Sequence, residues 1–292
     1  MKIATFLSPT GAPHLGIRFG DEVVDLAIAA PALPRELGAL FAAGPEALQA
    51  AAAAAEKCGT RFPCSTLHYL PVSNRPSKII CLGTNYLEHV EEAGQKAPDF
   101  PPIFLRGPSS LVGHGQPIVR PRISEQLDYE AELAIVIGRK ARHIAKADAL
   151  SVVGGYATFN DGSIRDFQLR TSQWTLGKNF DSTGGLGPEC VTPDELPLGA
   201  AGLRIQARLN GTVMQDSNTR KMIFDVAECI AILTQCLTLH PGDVIATGTC
   251  AGVGLLRKPP VFMKHGDRCE IDIEGVGVLT NPIVDEASQP AA

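Results

Sequence analysis

The chain has no surplus of positive charge: 26 lysines and arginines stand against 31 aspartates and glutamates, a net charge of −5. That balance excludes the broad basic face on which nucleic acid or an acidic membrane would be held. No apolar run is long enough to span a bilayer, because the alanine tract is closed by Glu46 and Glu56. The apolar stretch within Met1 to Pro9 is too short for a secretory signal. None of the eight cysteines forms a C-x-x-C pair or the Cys/His spacing of a zinc site. Several lie inside apolar runs, as in Ile79-Ile80-Cys81, and read as reduced, buried thiols of a cytoplasmic protein. No internal repeat is present, and the only biased tract is the alanines.

What is present is an ordinary globular composition, 45% hydrophobic and 20% charged over 292 residues, enough to bury a large core. Many β segments, few helices and hairpin turns point to a β-rich α+β protein. Residues 1–75 form a compositional block of their own. Lys2 to Leu7 and His14 to Leu26 read as strands with a Gly20-Asp21 turn, and Pro45 opens an alanine-rich helix to residue 57. This block is expected to be a small N-terminal domain, joined by the proline-containing stretch Tyr69 to Pro76 to a larger one over 76–285, with 286–292 as a tail. Asn210-Gly211 marks a type I′ hairpin. Met222 to Cys236 carries the periodicity of an amphipathic helix. Gly184 to Pro188 reads as a turn-rich loop able to pass close to a ligand.

The chemistry concentrates between Asp128 and Lys178. From Asp128 to Gly138 polar and apolar residues alternate with the period of a strand, placing Tyr129, Ala131, Leu133, Ile135 and Ile137 on one face and Glu130 and Glu132 on the other. Residues i and i+2 of a strand stand roughly 7 Å apart, so the two carboxylates can converge on one point. An acidic pair of this kind is usually a solvated face, but the run Leu133 to Ile137 is apolar enough to be covered on both sides. A hard divalent cation is then the natural occupant. A second buried strand from Val152 to Asn160 ends in Asp161, a third oxygen donor. Elsewhere, His89 and Glu92 are i and i+3 neighbours on a short helix from Leu87 to Ala93, spaced to hydrogen-bond and so to fix an imidazole as a general base. His114 and His143 read as structural or surface residues.

Asn160-Asp161-x-Ser163-x-Arg165-Asp166-x-Gln168 lies between Tyr129-Glu130-x-Glu132-Leu133 and Gly177-Lys178-x-Phe180-Asp181. With Gly83-Thr84-Asn85-Tyr86-x-x-His89, Ser109 to Gly113, Asn210-Gly211 and Gly242 to Thr249, the set resembles the fumarylacetoacetate hydrolase superfamily over about residues 77 to 285. The resemblance implies a mixed β-sandwich roll with a small N-terminal domain, assembled as a homodimer. It implies Mg²⁺ or Mn²⁺, with Ca²⁺ as a further choice, on Glu130, Glu132 and Asp161. It assigns water activation to His89 and Glu92 on a lid hinged at Gly94 to Phe100. Oxyanion donation falls to Arg165, Gln168 and Lys178, and substrate binding to Thr249, Lys178 and Arg106. Arg106-Gly107 departs from the Lys-Pro pair common in the family. Alternative roles for the cations are structural ion pairs of Lys178 with Asp166 or Asp181, and of Arg165 with Asp166. The implied activity is hydrolysis of a C–C bond in a 2,4-dioxo acid of acylpyruvate or fumarylpyruvate type, from aromatic or sugar-acid breakdown, through a metal-stabilised pyruvate enolate. The alternatives are decarboxylation of an oxaloacetate-like acid, isomerisation, hydration or lyase chemistry on a related 2-oxo acid, or a non-catalytic metal-binding role.

Overall fold

The computed structural model describes residues 1–287. Residues 288–292 of the expected tail lie outside the described residues. The N-terminal segment supplies β1 (Lys2–Leu7), β2 (Pro13–Phe19), β3 (Glu22–Asp25) and β4 (Phe62–Pro63), with α1 (Pro45–Lys57) between the last two. Next come β5 (Ile79–Leu82), α2 (Leu87–Glu92), β6 (Ile103–Arg106), β7 (Ala131–Ile137), β8 (Val153–Asn160) and β9 (Gly184–Val191). The chain closes with β10 (Arg204–Leu209), β11 (Thr212–Asn218), α3 (Val226–Cys236), β12 (Val244–Thr249), β13 (Arg268–Ile273) and β14 (Gly277–Asp285).

A twelve-stranded sheet runs β4-β3-β2-β1-β9-β8-β7-β12-β5-β6, with His68–Tyr69 added to β1 and Leu111–Val112 to β9. A five-stranded sheet runs β11-β10-β13-β14 and ends on Ile118–Arg120. The architecture is the β-rich α+β class that the strand and turn signals predict. The N-terminal segment adds its strands edge-on to the main sheet, because β1 pairs antiparallel with β9, Ile3 opposite Cys190.

Strand β7 is buried along its whole length. Leu133, Ile135 and Ile137 share a core with Ile205, Ala207, Ile271 and Ile273 of the smaller sheet. Ala134 and Val136 face the other way, into a core with Leu37, Leu40 and Phe41 of a short helix, Leu37–Ala42, and with Ala51 and Ala55 of α1. This double covering is why the strand reads as an unbroken apolar run. The Asn210-Gly211 turn has both residues at positive φ, 51° and 81°, as a type I′ hairpin requires.

Two local expectations are corrected. Helix α3 starts at Val226, not Met222, because the Asp225 carboxylate caps it by accepting from the Glu228 N–H; Met222 instead bridges to Tyr86. Gly184 to Pro188 is no loop but the first half of β9, buried throughout. The glycines there make room for neighbours: a Cβ on Gly184 would lie 2.8 Å from Nη2 of Arg106.

Candidate active site

Strand β7 is antiparallel to both β8 and β12, so its first residues lie beside their last ones; β5, parallel to β12, ends there too. Glu132 faces Phe159 on one side and Thr249 on the other, and the Asp161 N–H donates to the Glu130 carbonyl at 3.0 Å. This register, not proximity in sequence, joins Asp161 to the acidic pair. One carboxylate oxygen each from Glu130, Glu132 and Asp161 lies within 4.8 Å of the others, and all three residues are buried.

Buried carboxylates need counter-charge. Lys178 Nζ sits 2.7 Å from both Glu130 Oε2 and Asp161 Oδ2. Arg165 donates from Nε to Asp128 at 2.8 Å and from Nη1 to Glu130 at 2.6 Å. Arg106 donates from Nη1 to Asp161. The acidic group is thus four carboxylates, Asp128 included, against three cations. Glu132 is the one left without a cation; it accepts the Gly248 N–H at 2.8 Å. Burial, reinforced by the charges of Asp161 and Glu130, pushes the Glu132 carboxyl well above the usual range. Burial acts in the same direction on Glu130, but Lys178 and Arg165 outweigh it and hold that carboxyl at about 2. Burial opposes the Lys178 charge, and Asp161 and Glu130 overcome it, so the ammonium is held above its ordinary value. An all-oxygen, net-acidic donor set of this kind suits a hard divalent cation such as Mg²⁺ or Mn²⁺.

The triad opens into a cavity of about 260 Å³. His89, Arg165, Gln168, Lys178 and Thr249 line it with the three carboxylates. His89 Nδ1 is 3.4 Å from Glu92 Oε2 on α2. Both Glu92 oxygens also accept the Gly252 N–H, at 3.0 and 3.1 Å. Burial raises the Glu92 carboxyl, but the bonds from His89 and Gly252 more than offset this and lower it. Helix α2 is further tied to the smaller sheet by Glu88, which accepts from Ser217 and, at 2.7 Å, from Lys221.

Arg106, expected to contact substrate, does not line this cavity. Its side chain is wholly enclosed and its donors go to Ser110, Asp161, Gly162 and Thr183, so it acts as a counter-ion behind Asp161. Thr249 reaches the cavity, but its hydroxyl already donates to the Ala131 carbonyl and accepts from Gln215. Neither Lys178 nor Arg165 pairs with the acids nearest in sequence; Asp166 instead accepts from Ser124 at 2.6 Å. Asp128 was missed as a site residue, although it opens the very stretch that carries Glu130 and Glu132. It holds Arg165 and also accepts the Gly254 and Leu255 N–H groups. Nη2 of Arg165 is buried with no hydrogen-bond partner, a donor left for a ligand.

Residues 78–284 match the family model described as "Fumarylacetoacetate (FAA) hydrolase C-terminal". The chain is 40% identical to the mitochondrial oxaloacetate tautomerase Fahd2a of Rattus norvegicus over 288 residues, 97% of this chain and 92% of that one. Among solved structures, fumarylacetoacetate hydrolase from Exiguobacterium antarcticum superposes with a TM-score of 0.84 at 33% identity, covering 98% of this chain and all of that one. Maleylpyruvate hydrolase from Sphingobium sp. SYK-6, solved with manganese(II) and pyruvate, gives 0.82 at 31% identity with the same coverage. Named activities differ among these relatives, but sequence and architecture agree along nearly the whole length, and the chain therefore belongs to the fumarylacetoacetate hydrolase family of enzymes.

Proposed function

We propose that this enzyme interconverts the enol and keto forms of oxaloacetate, or of a 2-oxo acid close to it, with a divalent cation on Glu130, Glu132 and Asp161. The observation that carries the reading is the 40% identity, over 97% of the chain, to a relative named an oxaloacetate tautomerase. The small, acid-lined cavity supports it. The bound cation would supply the Lewis-acid charge that lowers the energy of an enolate.

The chain's own residues account for the rest. Tautomerisation removes a proton from the enol oxygen and delivers one to C3. His89 is the one imidazole lining the cavity among the described residues, and Glu92 engages its Nδ1, leaving the other ring nitrogen to exchange a proton. Lys178 and the free Nη2 of Arg165 set positive charge where the enolate is negative. A second reading, hydrolysis of an acylpyruvate, is favoured by the same dyad, which could instead take the proton of an attacking water, and by the likeness to maleylpyruvate hydrolase.

The test is to follow decay of enol-oxaloacetate by its ultraviolet absorbance and pyruvate release in parallel, with Mg²⁺, Mn²⁺ or chelator, beside a panel of acylpyruvates. Metal-dependent loss of enol without stoichiometric pyruvate is expected. Pyruvate plus a carboxylic acid from an acylpyruvate, with no effect on the enol, would replace this reading by the hydrolase. Pyruvate and carbon dioxide from oxaloacetate would replace it by a decarboxylase. In this reading the enzyme works as a homodimer, and light scattering of the purified protein checks it.

A further inference from the structure

The chain has one tryptophan, Trp174, and it lines the same cavity. It lies between two one-turn helices, Arg165–Gln168 and Thr175–Lys178. Gly177 closes that turn tightly: a Cβ there would fall 2.3 Å from the Gln168 nitrogen. The indole is seated on Gly83, just past the end of β5, where a Cβ would fall 2.3 Å from its Cζ3 and 2.8 Å from its Cη2. Its other neighbour is Phe104, edge to face at 5.8 Å between centroids. Glycine at 83 and a closed turn at 177 therefore fix where the largest side chain of the pocket stands.

What the ring encloses is small. About 260 Å³ is at or below the low end of the roughly 300–1,000 Å³ typical of small-molecule sites. Beside the charged groups the lining includes the apolar side chains of Trp174, Phe104, Leu169, Val253 and Leu255, with Thr84 and Gln95 among them. Among the described residues the two cations that line the cavity, Arg165 and Lys178, both form ion pairs with the acidic cluster, with Asp128, Glu130 and Asp161.

We infer that Trp174, held on Gly83, is the residue that limits substrate length, so that short 2-oxo acids enter and those with a bulky group beyond the reacting carbons are excluded. The inference rests on the 2-oxo acid reading above. It predicts that shortening the side chain admits longer substrates without altering the acidic cluster.

The experiment compares wild type, Trp174→Phe and Trp174→Ala in two ways. Calorimetry on the Mn²⁺-loaded protein gives Kd for pyruvate and for phenylpyruvate; turnover gives kcat/KM for enol-oxaloacetate and for a phenyl-bearing acylpyruvate. In Trp174→Ala the preference for the short ligand should fall at least about tenfold, the scale on which an apolar pocket discriminates by size. Trp174→Phe should keep most of the preference, and Mn²⁺ affinity should match wild type in both. A binding preference unchanged in Trp174→Ala overturns the inference, as does a loss of Mn²⁺ affinity that accounts for the whole effect. If neither acid binds wild type, the 2-oxo acid reading fails and this inference with it. If both bind with the expected shift but nothing is turned over, the size limit stands and the proposed reaction falls.

Discussion

Lys178 gives the sharpest test of how the acidic cluster is balanced. The change is Lys178→Met, which keeps the length of the side chain and removes the ammonium. In the structure that ammonium is buried and stands 2.7 Å from one oxygen of Glu130 and one of Asp161, so its loss leaves two enclosed carboxylates short of charge. Removing one partner of a buried pair costs about 3–5 kcal/mol. A divalent cation on the same carboxylates would return the missing charge, so the variant should bind it more tightly than wild type, and in excess cation the deficit shrinks by about 1.4 kcal/mol for each tenfold gain in affinity. Urea unfolding of wild type and variant, followed by the fluorescence of Trp174, should therefore show a deficit of several kcal/mol in chelator that shrinks markedly in excess Mn²⁺. Equal deficits in the two conditions would refute the argument, because Lys178 and the cation would then not be serving the same carboxylates. A variant as stable as wild type in chelator would refute it from the other side.

His89→Ala should lower turnover by about 10²- to 10⁴-fold, the usual contribution of a general acid or base, while leaving Mn²⁺ affinity by calorimetry unchanged. Arg106→Met removes a buried counter-ion of Asp161 and should cost about 3–5 kcal/mol in urea without cation, while Mn²⁺ should bind the variant at least as tightly as wild type; a rise in KM alone, with stability intact, would restore Arg106 as a substrate contact. Away from the site, burial raises the Glu189 carboxyl although Arg18 lies 2.8 Å away and opposes the shift. A carboxyl raised in the folded state makes folding less favourable as pH climbs from its unfolded value through its folded one. The stability of wild type relative to Glu189→Gln should therefore decline from about pH 4.5 upward and then level off, and urea midpoints that run parallel across that range would contradict it.

Much of the site was legible because local pattern carries it. The two-residue period of the extended chain leading into β7 places Glu130 and Glu132 on one face, and the short helix spacing brings His89 to Glu92, each a consequence of backbone geometry within a few residues. The hairpin at Asn210-Gly211 is equally local, since those two residues tolerate positive φ. The end of the next buried strand offered Asp161 as a third oxygen donor, and resemblance extended the set to Lys178 and Arg165. What the sequence could not determine is partnership across the sheet. The antiparallel register of β7 against β8 and β12 brings Asp161 to Glu130, turns Lys178 and Arg165 away from neighbouring Asp166 toward Glu130, and recruits Asp128. Only the buried strand β9, with glycine where Arg106 must pass, explains why that arginine reaches Asp161 and stays out of the cavity lining. Side-chain spacing along one strand is set by covalent geometry, whereas ion pairing among four carboxylates and three cations depends on which strands lie side by side, and that is decided by packing of the whole core.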